Sequence, residues 1–115
     1  MHSLAFSERS AVLGFPNSHV STSIAPYDFA ADYFRGATGM MKDLFRHKEL
    51  LHRAVDVMRE NLVRITIANA KASGNPIVFI PIHWAPDAFM SDKQFREFWW
   101  PSFRQMMVEL IDAGL

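Results

Sequence analysis

Cysteine is missing from all 115 residues, which excludes disulfides, thiolate metal sites and cysteine nucleophiles within this chain. A metal here would have to rely on His, Asp or Glu. Of the five histidines, His2, His19, His47, His52 and His83, no two stand in the H-x-x-x-H spacing of a helical zinc pair. An excess of charge is also missing, because 12 basic side chains cancel 12 acidic ones. No block of one sign supplies the field that nucleic acid or an anionic membrane surface would need. Long apolar runs are absent, so nothing approaches the roughly 20 residues of a membrane span. Met1 to Leu4 lacks the charged and apolar regions of a signal peptide, and a cytoplasmic location is the default expectation. The phosphate-loop, dinucleotide and hydrolase-elbow motifs, G-x-x-x-x-G-K-[ST], G-x-G-x-x-G and G-x-S-x-G, are not found either.

What is present is enough apolar material for a core. Half of the chain is hydrophobic and ten residues are Phe, which places it with globular domains. Residues 1–25 carry Gly14, Pro16, Asn17 and a Ser21-Thr22-Ser23 run, a turn-rich composition that predicts an irregular lead-in. Pro26 suits the start of a helix whose apolar positions run through Tyr27, Phe29, Ala30, Tyr33 and Phe34. Gly36 and Gly39 bracket a break, after which Met40, Met41, Leu44 and Phe45 resume the pattern as a second short helix. From Lys48 to about Ala72, apolar residues recur at steps of three and four (Leu51, Val55, Met58, Leu62, Ile65), which predicts the longest helix. Ser73-Gly74-Asn75-Pro76 ends it, since Gly suits the C′ position and Pro cannot continue the ladder.

Ile77-Val78-Phe79-Ile80 is a short unbroken apolar run, the pattern of a strand buried on both faces of a parallel sheet. One strand cannot satisfy its own edges, so it must pair outside the chain or with an extended part of residues 1–25. Ser91 with Gln94 three residues on forms a capping box, and Phe95, Phe98, Trp99, Phe103, Met106 and Leu110 give the next helix its apolar stripe. Pro101 lies inside that stripe and predicts a kink. Helix, strand, helix is the unit of a barrel or open parallel sheet. The fold class expected is α/β, a fragment of a TIM (β/α)8 barrel, mostly helical with one clear parallel-type strand; a closed barrel needs roughly 250 residues.

Polar groups at a strand's carboxyl end are where such folds meet substrates. His83, Trp84 and Asp87 stand there. A functional reading gives His83 a donor or proton-transfer role, Trp84 a stacking role and Asp87 an orienting role. A structural reading bonds His83 to a loop carbonyl, buries Trp84 and leaves Asp87 to shape a turn. Arg35, beside Gly36 and Gly39, is either an anion-contacting residue or the ion-pair partner of Asp32 or Asp43.

Three stretches carry a resemblance. Pro26-Tyr27-Asp28, then Asp32-Tyr33-Phe34-Arg35-Gly36-Ala37-Thr38-Gly39 and Met41-Lys42-Asp43, are similar to a "PFD…D.LRGT.G.M.D" segment. His83-Trp84-Ala85-Pro86-Asp87-Ala88-Phe89-Met90-Ser91 is similar to "HKGADGFMS". Gln94 to Pro101, followed by Leu110-Ile111-Asp112-Ala113-Gly114-Leu115, is similar to "QF.EFYWP…LIDAGL". Together the chain resembles the uroporphyrinogen decarboxylase superfamily, in the branch related to corrinoid-dependent methyltransferases, over most of residues 26–115. Trp84 and Pro86 depart from the segment, and the family's arginine-rich "RQAGRY" motif and early-strand aspartate have no counterpart.

The resemblance implies a TIM barrel that decarboxylates tetrapyrrole acetate arms, as in porphyrin biosynthesis, or moves methyl groups between corrinoid proteins and thiols. It implies that residues 26–115 are a middle portion of that barrel. The methyltransferase branch's zinc ligands, an "H-x-C" pair and a later cysteine, fall on strands beyond this segment. No cofactor is therefore expected within the chain, zinc belonging only to a full-length methyltransferase-type parent. The expected ligand is a small molecule, a tetrapyrrole or methyl donor, held in the parent fold with His83, Trp84, Asp87 and Arg35 as substrate-binding residues. Catalysis by this chain alone is not expected, and its partner would be a second copy or a complementing subunit. Two rivals stand beside this reading: a non-catalytic remnant acting as an oligomeric or partner-binding module, and a stand-alone α/β binding domain with extra strands from residues 1–25.

Overall fold

The computed structural model describes residues 2–15 and 20–115. The lead-in departs from expectation. His2–Val12 forms helix α1, because good helix formers such as Ala5, Glu8, Arg9 and Ala11 outnumber turn residues there. It closes as a Schellman motif on Gly14, at φ 76°, with the Phe15 amide donating to the Ser10 carbonyl at 2.9 Å. Pro16 and Asn17, read as turn, lie outside the described residues.

Two strands follow the expectation of an extended partner in the first 25 residues. β1 (Ser21–Thr22) pairs in parallel with β2 (Val78–Phe79). The long connection between them holds α2 (Pro26–Ala30), a π-helical segment (Ala31–Arg35), α3 (Gly36–Arg46) and α4 (Lys48–Ser73). The chain is thus mostly helical around one small parallel sheet. The glycine break falls at Gly36, where φ 65° and ψ 170° are open essentially to Gly alone. Gly39 lies within α3, and a Cβ there would stand 3.2 Å from that of Arg35. Gly74 ends α4 in the left-handed conformation.

β2 is not the strand buried on both faces that its composition predicts. Ile77 and Phe79 are 58% and 57% exposed, while Val78 and Ile80 on the opposite face are half-buried. The sheet has two strands among the described residues. Helical packing reaches it through α4, so the alternation of a one-sided strand appears.

Beyond β2, Ser91 caps α5 (Asp92–Gln94) with both halves of the capping box in place. The kink expected at Pro101 takes a specific form. Residues Phe95–Trp99 widen into a π turn in which the Trp100 amide donates to the Phe95 carbonyl, and α6 (Trp100–Asp112) starts with Pro101 in its first turn. The π turn lies just before Pro101, where the missing amide leaves a carbonyl of the preceding turn without its donor. The main core packs Tyr27, Met40, Leu44, Leu51, Val55 and Trp99 together, and a smaller cluster of Val63, Met106 and Leu110 joins α4 to α6.

Candidate functional site

Because β1 and β2 are parallel, Ser23 and the Ile80–His83 segment leave the sheet at the same end. Two aspartates from the helix that starts at Pro26 meet them there. Asp28 and Asp32 are four residues apart and share one helix face. Asp28 is fully buried. Its Oδ2 accepts from the His83 backbone amide at 2.7 Å, and its Oδ1 from the Trp99 indole at 2.7 Å. The Trp84 amide contributes as well. One carboxylate therefore ties α2, the loop after β2 and the helix that runs into α6 into one unit.

Asp32 holds the side chains. Its Oδ2 lies 2.7 Å from His83 Nδ1, and its Oδ1 accepts from Trp84 Nε1 at 2.7 Å. A carboxylate only accepts, so Nδ1 carries the hydrogen and Nε2 is left for another partner. The imidazole is about half exposed, at 49%. It borders a cleft of about 260 Å³ whose walls include Ser23, Tyr33, Ile65, Thr66 and Pro81. The Thr66 hydroxyl bridges Ser23 Oγ at 2.8 Å and the Leu62 carbonyl at 2.6 Å, fixing the β1 end of this wall on α4.

The electrostatics differ between the two acids. Burial pushes the Asp28 carboxyl up, and the hydrogen bonds from His83, Trp99 and Trp84 oppose that without cancelling it. Burial also acts on Asp32, but the Trp84 and His83 hydrogen bonds and the imidazolium charge outweigh it and hold its carboxyl down. The Asp32 hydrogen bond, with the charges of Asp32 and Asp28, raises His83. Tyr27, buried beside Asp28, is pushed up to about 12 by burial first and then by the charges of Asp28 and Asp43. An imidazole that stays protonated above its ordinary range, oriented by a carboxylate and open at Nε2, is suited to hold an acidic group or deliver a proton.

Of the four residues singled out from sequence, His83 and Trp84 come together on Asp32. Asp87 stands apart, exposed on the turn closed by the Phe89 amide to the Pro86 carbonyl. Arg35 is also elsewhere. It forms a two-pronged pair with Asp43, at 2.6 and 2.9 Å, which is its structural alternative. Asp28, Asp32 and Trp99 were not among those four. Their signal was an acid pair at i and i+4 inside a helix that is otherwise apolar on that face. No group of three His, Cys, Asp or Glu able to hold a metal gathers among the described residues. No helix among them is long and apolar enough to cross a membrane. No protein-family model, curated protein or solved structure matches this chain.

Proposed function

We propose that the chain is a segment of a uroporphyrinogen-decarboxylase-like (β/α)8 barrel, and that its part in the parent reaction is to hold an acidic group of a tetrapyrrole at His83. The reaction of that parent is carboxylate loss from the tetrapyrrole or corrinoid-linked methyl transfer. The observation carrying the reading is the imidazole locked by Asp32 at the shared carboxyl end of two parallel strands, beside a cleft. Residues at that end of the strands do the chemistry in barrel enzymes. Nε2 donates to a substrate carboxylate, Trp84 offers an apolar face, and Asp28 keeps the loop in register.

Uroporphyrin, the stable oxidised octacarboxylate, is the direct probe. Titrated into the protein, it is expected to quench tryptophan fluorescence saturably, with Trp84 next to the site. His83→Gln is expected to weaken binding about tenfold, the equivalent of one charge-assisted hydrogen bond. Equal quenching by wild type and variant, or none by either, would overturn the reading.

One observation favours a second reading, a non-catalytic module that assembles with a copy or partner. Ser21 and Ser23 amides donate to the Ile77 and Phe79 carbonyls, so the backbone groups of Val78 and Ile80 face away from β1. That outer edge sits beside exposed Ile77 and Phe79.

A further inference from the structure

One wall of the cleft beside His83 has a fixed hydrogen-bond polarity. Thr66 is buried on α4, and its hydroxyl stands 2.6 Å from the Leu62 carbonyl and 2.8 Å from Ser23 Oγ. A hydroxyl carries one hydrogen, and a carbonyl oxygen only accepts. Two oxygens approach to 2.6 Å only with a hydrogen between them, so the Thr66 hydrogen goes to Leu62, the usual back-bond of a helical threonine. The Ser23 hydroxyl must then donate to Thr66. Ser23 is itself 7% exposed, and its hydroxyl has no other hydrogen-bond partner among the described residues. What Ser23 offers the cleft it lines is therefore an acceptor with no hydrogen to give.

The other polar groups do not undo that choice. Thr22 and Tyr33 also line the cleft, but both are exposed, and a solvated hydroxyl turns to donate or accept as its partner requires. The Ser23 amide is spent on the Phe79 carbonyl, and Pro81 has no amide hydrogen. Ile24, Leu62 and Ile65 make the remaining wall apolar. A ligand that brings only lone pairs to Ser23 leaves two desolvated acceptors facing each other, whereas an N–H or O–H fills the position. At about 260 Å³ the cleft is smaller than the roughly 300–1,000 Å³ of sites that enclose a whole ligand, so it takes one ring with its arm. We infer that Ser23 sets specificity here: the cleft takes an apolar ring with an acidic arm and, away from that arm, an N–H or O–H donor, the arm meeting His83 Nε2 and the donor meeting Ser23 Oγ. The placing of the arm rests on His83 holding an acid; the choice of donor over acceptor does not.

Indole-3-acetate and benzofuran-3-acetate share outline and charge and differ at one ring atom, N–H against O. Followed by NMR through the methyl signals of Ile65 in the cleft wall, indole-3-acetate is expected to bind about tenfold more tightly. Ser23→Ala is expected to remove that preference. Thr66→Val keeps the side chain's bulk, returns the Ser23 hydrogen to the cleft, and is expected to strengthen benzofuran-3-acetate binding; should it lower the melting temperature, Ser23→Ala decides alone. Equal binding of the two acids to the wild type, or a Ser23→Ala protein that keeps the preference or weakens both acids alike, would overturn the role of Ser23, and the role of His83 stands if His83→Gln still weakens both. A preference lost with Ser23→Ala in a protein where His83→Gln changes nothing supports Ser23 and overturns His83. No response to either acid would overturn both.

Discussion

At the scale of single residues, the two aspartates do opposite electrostatic work four positions apart. Asp32 is lowered by its hydrogen bonds from Trp84 and His83, and His83 is raised by its bond to Asp32. A histidine raised on folding contributes stability that is complete below the ordinary imidazole value of about 6.5 and is lost as pH climbs through its raised value. A depressed carboxylate contributes above the ordinary value of about 3.9 and loses that contribution as pH falls through its lowered one. The pair therefore helps most between those two limits. Asp32→Asn is expected to bring the His83 titration, read from its ring proton in NMR, back toward the ordinary value; an unmoved titration would show that Asp32 does not set it. Asp28 has the reverse sign for an acid, being raised, so its contribution declines as pH rises from the ordinary carboxylate value through the raised one. It stays because it satisfies the donors of His83 and Trp99. Asp28→Asn replaces one acceptor with a donor facing a donor, and a loss of about 1–3 kcal/mol in urea unfolding is expected; an unchanged midpoint would contradict this account.

At the scale of elements, boundaries were readable wherever one residue type controls them. The α4 stop at Gly74 and the capping box at Ser91 appear at the residues that predicted them, and of the two glycines expected to bracket a break Gly36 makes it while Gly39 lies inside α3, because each boundary rests on local backbone chemistry. Gly36→Ala is a clean test, since the added methyl group would meet nothing within 4 Å and only the backbone conformation is strained. A cost of about 1–3 kcal/mol is expected in thermal or urea unfolding, and a neutral substitution would show that the break relaxes freely. Composition misled at α1, because the turn residues from Gly14 to Ser23 were extended to the whole lead-in although residues 2–12 hold a helix. The Pro101 signal was right in place and incomplete in kind. A kink predicts a bend, whereas the helix stays continuous and widens by a π turn just before the proline.

At the scale of the whole molecule, the sheet is where packing has the last word. Ile77 to Ile80 reads as fully buried, yet Ile77, Phe79 and Ile82 are each at least half exposed, and the molecule is elongated, 55 × 26 × 24 Å. An open strand edge flanked by apolar side chains favours association. Sedimentation at rising concentration is expected to show reversible self-association that Phe79→Lys weakens, with folding stability changed by only about 0.5 kcal/mol as usual for surface sites. A wild type that stays monomeric throughout would count against the assembly reading and leave the His83 site unaffected.

The residue order alone determined the helices at α3 to α6, their caps, the presence of a parallel-type strand and the position of His83 and Trp84 just after it, because these depend on neighbours a few residues apart. Tertiary structure decided that Asp28 and Asp32 hold that loop, that Arg35 belongs to Asp43, and that β2 shows one face to water. The contacts of His83 and Trp84 with Asp32 join residues about fifty positions apart, and periodicity carries no information about which distant side chains a carboxylate will meet.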